Sequence, residues 1–591
     1  MKLNRLNFLS LLGKILLTFI VTFSMFAYSG CQDTNSSNTV EDTNSSNNLQ
    51  TIIPLSINFK STLAKNNSAA YVTSQCYTKT EDMNGKLSNP CFSCHINSTE
   101  PNYINDWSLQ ESYDVSEYTK KNRYKNLFLD RSDLMEKISD DYILKYVKED
   151  NYKKDNKLNL KTKLETLPNE WDVNENGKWD GYIPDCYFSF DNEGFDKDPE
   201  GNYTLWRAFA YYPFLGTFWP TNGSTDDVLI RLDEVFSLDE NQTFNLDIYK
   251  INLAIVESII KQKDIYIDNV DENLYGVDLN QDGTLNVSNT VVYKWELPVY
   301  EVSLKRLTNF SMSYVGHAKS LLNTNEYLIA PGLYPQKTEF LHSVRYIDVD
   351  NNNSIKMAPR MKELRYAKKD SWNSYPQLSN ASMAEIMEKD LFPDRLRTIL
   401  GNSEEGLKTG LGWTYQGFIE DENGELRPQN YEETLFCIGC HSGIGAIADS
   451  TFVFQRKFDY NATLQGWYHW SQDANGFKNI KEPKTKDGKY EYSFYLEQNN
   501  AGDEFRTNEE VKNKFFNENG LKTDEIKILH NDISHLLIPS KQRALELNKA
   551  YYIIMKEQSY IYGRDTHVKP VENVHKELQV GQSTKLNAVK F

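Results

Sequence analysis

The chain has 591 residues, with 65 Lys and Arg against 83 Asp and Glu, a formal charge of −18 and a pI near 5.1. At about 150 residues per domain this length points to several folding units, and a composition of 39% apolar and 13% aromatic residues is too hydrophobic for a disordered chain. The acidic balance argues against binding a phosphate backbone, which needs clustered Lys and Arg, so nucleic acid is not an expected partner.

Residues 1–30 carry Lys2 and Arg5 and then an apolar stretch from Phe8 to Ala27, the pattern of a secretory signal. Ala27-Tyr28-Ser29-Gly30-Cys31 resembles a bacterial lipobox, which makes Cys31 the expected lipidation site. The other reading is an uncleaved anchor, since the apolar stretch is nearly long enough to span a membrane. Both put the body outside the cytoplasm, in the periplasm or at the cell surface, held to a bacterial membrane. Residues 31–50 repeat Asp-Thr-Asn-Ser-Ser-Asn from Asp33 and from Asp42 and read as a flexible tether.

The first module, 51–165, contains Cys91-Phe92-Ser93-Cys94-His95 followed by polar, helix-prone sequence. In 166–360, the runs Leu205 to Phe214, Val228 to Leu232, Val291 to Val302 and Val344 to Val349 are bounded by Gly, Asn, Asp and Pro. They predict a β-rich middle domain, interrupted by one amphipathic helix over Asp247 to Lys261. Two acidic loops fall in it. Asp172, Asn174, Asn176 and Asp180 stand at positions one, three, five and nine around Gly177, and Asp278, Asn280 and Asp282 repeat the pattern around Gly283. This is the front half of a calcium loop without the bidentate Glu at position twelve, and it resembles shortened, dockerin-like loops. Bound Ca²⁺ and plain turn chemistry are both open readings.

A second module, 361–480, has a helix from Ser382 to about Leu400 with a break at Pro393, then Cys437-Ile438-Gly439-Cys440-His441. The remainder, 481–591, reads helical, most clearly over Ser540 to Ser559.

Both five-residue motifs are CxxCH. Two thiols three positions apart can each add to one vinyl group of a haem, and the adjacent His then ligates the iron from the proximal side. Cys91, Cys94, Cys437 and Cys440 are thus the thioether candidates, with His95 and His441 the proximal ligands. A redox CxxC pair requires no following His, and zinc would need four ligands gathered from distant segments. On the two motifs and the leader, the chain resembles a di-haem c-type cytochrome lipoprotein. That resemblance implies two covalently bound haem c groups, with redox proteins or quinol-linked donors as partners. The expected fold is α+β and multidomain, with two mainly helical or irregular c-type haem modules around the β-rich middle. The motifs lie 437 − 91 = 346 positions apart, wider than in familiar di-haem peroxidases.

Setting aside Cys31 and the four motif thiols leaves Cys76 and Cys186, which form either one disulfide in an oxidising compartment or two buried thiols. Function turns on the sixth iron ligand. His342, in a strand-like run, and His469, in the aromatic segment Gly466-Trp467-Tyr468-His469-Trp470, are the distal candidates, with Met357 and Met361 as competitors. Arg345 and Arg360 offer guanidinium groups for haem propionates or for ordinary ion pairs. Two closed haems give an electron-transfer protein, the favoured expectation. One open haem gives a peroxidase-like or oxygenase-like enzyme, and a redox-sensing role is a third reading.

Overall fold

The computed structural model describes residues 52–62, 72–81, 87–88, 90–98, 100–102, 108–214, 220–393, 399–472, 476–499 and 508–585. The leader 1–30, Cys31 and the tether 31–50 lie outside the described residues.

The fold is α+β, organised on an antiparallel sheet of ten strands. These are β1 (Phe195–Lys197), β2 (Tyr203–Ala208), β3 (Thr225–Asp226), β4 (Leu229–Arg231), β5 (Glu339–Val349), β6 (Ile355–Lys369), β7 (Leu400–Asn402), β8 (Gly406–Lys408), β9 (Trp413–Glu420) and β10 (Leu426–Pro428). Their order is β7-β8-β9-β6-β5-β4-β2-β1, with β10 added to β9 and β3 to β5.

Successive side chains of a strand point to opposite faces. On β5, Phe340, His342 and Val344 therefore share a face, and the register sets Ala367, Arg365 and Glu363 of β6 opposite them. Tyr415 of β9 lies opposite Ala367, and Asp226 of β3 opposite Val344. The alternate residues Leu341, Leu364 and Phe418 enter a separate core with Trp206 and Met361.

The helices include α1 (Asp140–Lys148), α2 (Leu246–Lys261), α3 (Tyr375–Leu391), α4 (Tyr431–Cys440) and α5 (Lys541–Glu557), of which α4 and α5 reach the site. Helix α2 starts where the Asn245 side chain accepts from the backbone N–H groups of Asp247 and Ile248, and it stops at Gln262 in the left-handed region. Helix α3 ends at Leu391, short of Pro393, whose ring disfavours helical backbone at the residue before it. Along β5, Tyr346 packs with α1 and α5, among Ile143, Val147, Tyr551 and Ile554. Among the described residues, no helix is long and apolar enough to cross a membrane.

The expected boundaries at 165/166, 360/361 and 480/481 do not follow the packing. Strand β6 runs through 360/361 and pairs on both sides, with β5 and with β9. The chain ends are also joined: Tyr77, Tyr113 and Leu127 share a core with Val571, Val574 and Leu578, and residues 47–591 form one unit. Strand pairing joins segments distant in sequence, so a shift in local composition does not mark a domain edge. The run Val291 to Val302 likewise splits into Val287–Val291 and Val299–Glu301, each in a separate two-stranded ribbon.

Candidate functional site

Helix α4 opens with a capping box: the Asn430 side chain accepts from the Glu433 N–H at 2.8 Å, and the Glu433 carboxylate accepts from the Asn430 N–H at 2.9 Å. The helix runs to Cys440, so Cys437 and Cys440, three positions apart, share one side of it. The His441 N–H closes the last turn on the Cys437 carbonyl at 2.9 Å. A single 3₁₀ turn, Pro90–Ser93, does the same for the first motif, with the His95 N–H on the Cys91 carbonyl at 2.8 Å. Both motifs thus have the same local backbone closure on different scaffolds.

The motifs, 346 positions apart in sequence, meet in space. The Cys94 carbonyl accepts from the Ala446 N–H at 3.2 Å. A Cβ on Gly445 would stand 2.4 Å from the Ile96 carbonyl oxygen, so glycine allows this approach. Between them lies a mainly apolar cavity of about 2100 Å³, including the part open to solvent, lined by Cys94, His95, Cys437, Cys440 and His441. Cys91 is buried with Phe92 and Phe494 and does not line the cavity.

The thiols are poor redox nucleophiles. Burial, followed by the neighbouring Cys440 and Cys76, holds the Cys94 thiol well above its ordinary pKa, and burial pushes Cys440 up to about 12. Burial also raises Cys437, against the opposing charges of Arg365 and Arg564. Neutral thiols do not suit a thioredoxin-like pair, which works as thiolate.

His441 is set differently. Its Nδ1 lies 2.8 Å from the Ser450 carbonyl oxygen, which only accepts, so Nδ1 carries the hydrogen and Nε2 keeps its lone pair. Burial lowers its pKa to about 4, which keeps the ring neutral at physiological pH. The Ser450 carbonyl is presented by a turn with positive φ at Asp449 and Ser450. That turn is anchored by the buried Lys369–Asp449 ion pair and by the Tyr334 N–H on Asp449 at 3.0 Å.

The two distal candidates part company. His342 faces the cavity from β5, with Nε2 3.1 Å from Asp226 Oδ2. His469 does not reach the cavity, and its distal assignment is corrected. Its Nε2 lies 2.8 Å from Asp227 Oδ2, its Nδ1 lies 2.5 Å from Ser471 Oγ, and the ring stacks on Phe190 at 4.9 Å. Both ring nitrogens are taken, and the aromatic segment around it packs into the core through Trp467 and Tyr468. Met361 is also core. Arg345 donates to Ser343 Oγ at 2.8 Å, and Arg360 pairs with Glu420 at 2.9 Å. The arginines at the cavity are instead Arg365, Arg456 and Arg564. Arg365 alternates with Glu363 opposite His342 and Val344, a relationship visible only once the strands are paired.

The disulfide between Cys76 and Cys186 is a further correction. Cys76 lines the cavity near Cys94 and Cys440, whereas Cys186 is a buried free thiol in the core with Trp206 on the other face of the sheet. Counting cysteines does not report which core each enters.

In the acidic loops, Gly177 and Gly283 adopt positive φ. Asp172 accepts from the N–H groups of Asn176 and Gly177, and the Asn174 and Asn176 amides donate to Asp180. Asp278 accepts from Asp282 and Gly283, and Asn280 from Asp282. Each loop is gripped by a buried glutamate that the sequence reading missed: Glu404 accepts from Val173 and Asp180, and Glu272 from Leu279 and Asn286. Among the described residues, no group of three or more His, Cys, Asp and Glu side chains is arranged to hold a metal ion.

A lipoprotein-like family model matches residues 60–534. An "Uncharacterized lipoprotein" of Aquifex aeolicus (strain VF5) is 31% identical over 543 residues, covering 84% of this chain and 85% of the relative. No solved structure matches. The chain therefore belongs to this lipoprotein family, the name of which denotes proteins exported and held at a membrane.

Proposed function

We propose that this lipoprotein is a di-haem c-type cytochrome that transfers electrons outside the cytoplasm, with both haems in one cavity. The observation that carries the reading is His441: a neutral imidazole with Nδ1 held by a backbone carbonyl, on a cavity that it shares with Cys437, Cys440 and the whole second half of the other motif. Such a carbonyl fixes the tautomer and ring direction of a ligating histidine. Cys437 and Cys440 would hold one porphyrin and Cys94 the other, which Cys91 would join by turning out of its core with Phe92 and Phe494, with His441 and His95 as iron ligands. Bound there, haem supplies one-electron redox chemistry at iron. Arg365, Arg456 and Arg564 offer positive charge to the carboxylates of such a group, and the apolar walls keep water away from it. Redox proteins or quinol-linked donors are the partners that this reading implies. We read the two acidic loops as structural calcium sites, on the strength of their Asp and Asn spacing and their left-handed glycines.

A second reading, a peroxidase-like enzyme, is favoured by one observation. Among the described residues lining the cavity, the histidines are His95, His342 and His441. Two proximal ligands leave His342 as the single distal histidine for two irons, so one iron lacks a histidine on its second side. A spectrum of the purified protein, reduced and then exposed to carbon monoxide, separates the readings. Negligible binding supports two closed haems, and one equivalent bound with peroxide turnover supports the enzyme.

A further inference from the structure

Five tyrosines run from the cavity wall to the protein surface. Tyr551 of α5 lines the cavity, and its ring centre lies 5.4 Å from that of Tyr346 on β5, edge on. Tyr346 meets Tyr146 of α1 at 5.9 Å, Tyr146 meets Tyr552 at 4.8 Å, and Tyr552 meets Tyr142 at 5.7 Å. Tyr142 is 46% exposed, whereas Tyr551, Tyr346 and Tyr552 are buried.

The hydroxyls are arranged as well as the rings. Tyr346 and Tyr146 donate to the two oxygens of one carboxylate, Glu420, at 2.6 and 2.5 Å. Glu420 is fully buried and also pairs with Arg360. Tyr552 and Tyr142 share a hydrogen bond at 2.8 Å. Apolar packing accounts for large rings in a core. It does not call for phenols at every step, for a shared proton acceptor midway, or for an end at solvent. Phenylalanine would fill the same space without burying the hydroxyls of Tyr551, Tyr346 and Tyr552.

The geometry points to a tyrosine relay that carries oxidising equivalents from the cavity to the surface at Tyr142. The relay rests on the second, peroxidase-like reading, because a peroxide reacting in the cavity is the oxidant it serves. Reduction of hydrogen peroxide to two waters takes two electrons and two protons. Each electron leaves Tyr142 and moves inward ring by ring through Tyr552, Tyr146, Tyr346 and Tyr551, while solvent supplies the protons for water. In transit, the phenol protons of Tyr146 and Tyr346 pass to the Glu420 carboxylate and return. Each electron delivered leaves one neutral phenoxyl radical at Tyr142, which has lost its own proton to solvent and which an external reductant or a trap can reach. Burial raises the pKa of Tyr346 and Tyr146 well above the ordinary phenol value, so an electron leaves each of these rings together with its proton, which Glu420 accepts.

The test adds hydrogen peroxide and a nitrone spin trap to the haem-loaded ferric protein, maps the adducts by peptide mass spectrometry, and counts covalent haem in the same sample. Tyr142 is expected to carry the dominant adduct, above the exposed but unconnected Tyr266 and Tyr300. Tyr346→Phe and Tyr146→Phe should each reduce the Tyr142 adduct to the level of Tyr300. Tyr142→Phe, a surface change that leaves the core intact, should remove the trapped adduct while a buried tyrosyl radical remains in the electron paramagnetic resonance spectrum. With two haems present, a Tyr142 adduct no stronger than that of Tyr300, or one unaltered by Tyr346→Phe and Tyr146→Phe, overturns the relay alone. A protein without covalent haem overturns both the relay and the haem reading.

Discussion

The carbonyl of Cys94 accepts a hydrogen bond from the backbone N–H of Ala446, so the segments that leave the two CxxCH motifs lie against each other. Two groups attached to these motifs would share one cavity instead of occupying separate modules. Exchange of electrons between them would then be confined to the protein interior, and the surface would matter for entry and exit.

Covalent attachment is the first consequence to check. Acid-acetone extraction should leave two haems per chain, and the double variant Cys91→Ala with Cys94→Ala should leave one. Haem that extracts completely, or zinc found in its place, rejects the assignment of the motifs.

The two histidines should behave in opposite ways. His342→Gly is expected to convert one haem to a high-spin form that binds added imidazole, because His342 faces the cavity. His469→Asn should leave the visible spectrum unchanged. It should still lower stability by about 2 kcal/mol, the scale for removing one partner of a buried hydrogen bond, here the one to Asp227. Absorption spectra and urea denaturation read the two effects separately.

Lys369 should position His441 without touching it. Removing the buried cation by Lys369→Met frees Asp449 and loosens the turn that presents the Ser450 carbonyl. A histidine that loses its carbonyl partner is a weaker donor, so the midpoint potential of one haem should rise while haem content stays at two. Redox titration of the variant checks this, and an unmoved potential assigns the ion pair to stability alone.

Acid should unfold the protein partly through Glu363. Burial works to raise its pKa, but Arg365 and Arg564 outweigh it and hold the group at about 2, against 4.5 unperturbed. A carboxylate with a lowered folded-state pKa stabilises the fold above the unfolded value and loses that contribution as pH falls. The window is therefore pH 4.5 down to about 2, with about 3 kcal/mol at stake. Denaturant melts at a series of pH values should show a flatter acid limb for Glu363→Gln than for the wild type.

Calcium should raise the melting temperature, and a chelator should lower it, if the acidic loops hold the ion. Asp172→Ala and Asp278→Ala should each remove part of that difference. Loops that are turns alone will show equal melting temperatures with calcium and with chelator.

Local helical structure was legible in the amino-acid order, where the apolar periodicity of α2 and α5 matches their extents to within a few residues. The lipoprotein character was also readable before any folding, from Cys31 and the leader, and the family match agrees. What meets what across long stretches of chain was decided by the tertiary structure. His342 and His469 are the same residue type in comparably apolar sequence. One reaches the cavity because its strand register faces it opposite Arg365, and the other turns to Asp227. Counting leaves a disulfide and two thiols both open for Cys76 and Cys186, and the structure separates the two because one lines the cavity and the other enters the core with Trp206. The boundary placed at 360 cut through β6 because strand pairing is a long-range interaction, set by register and burial across hundreds of residues, and local composition does not encode it.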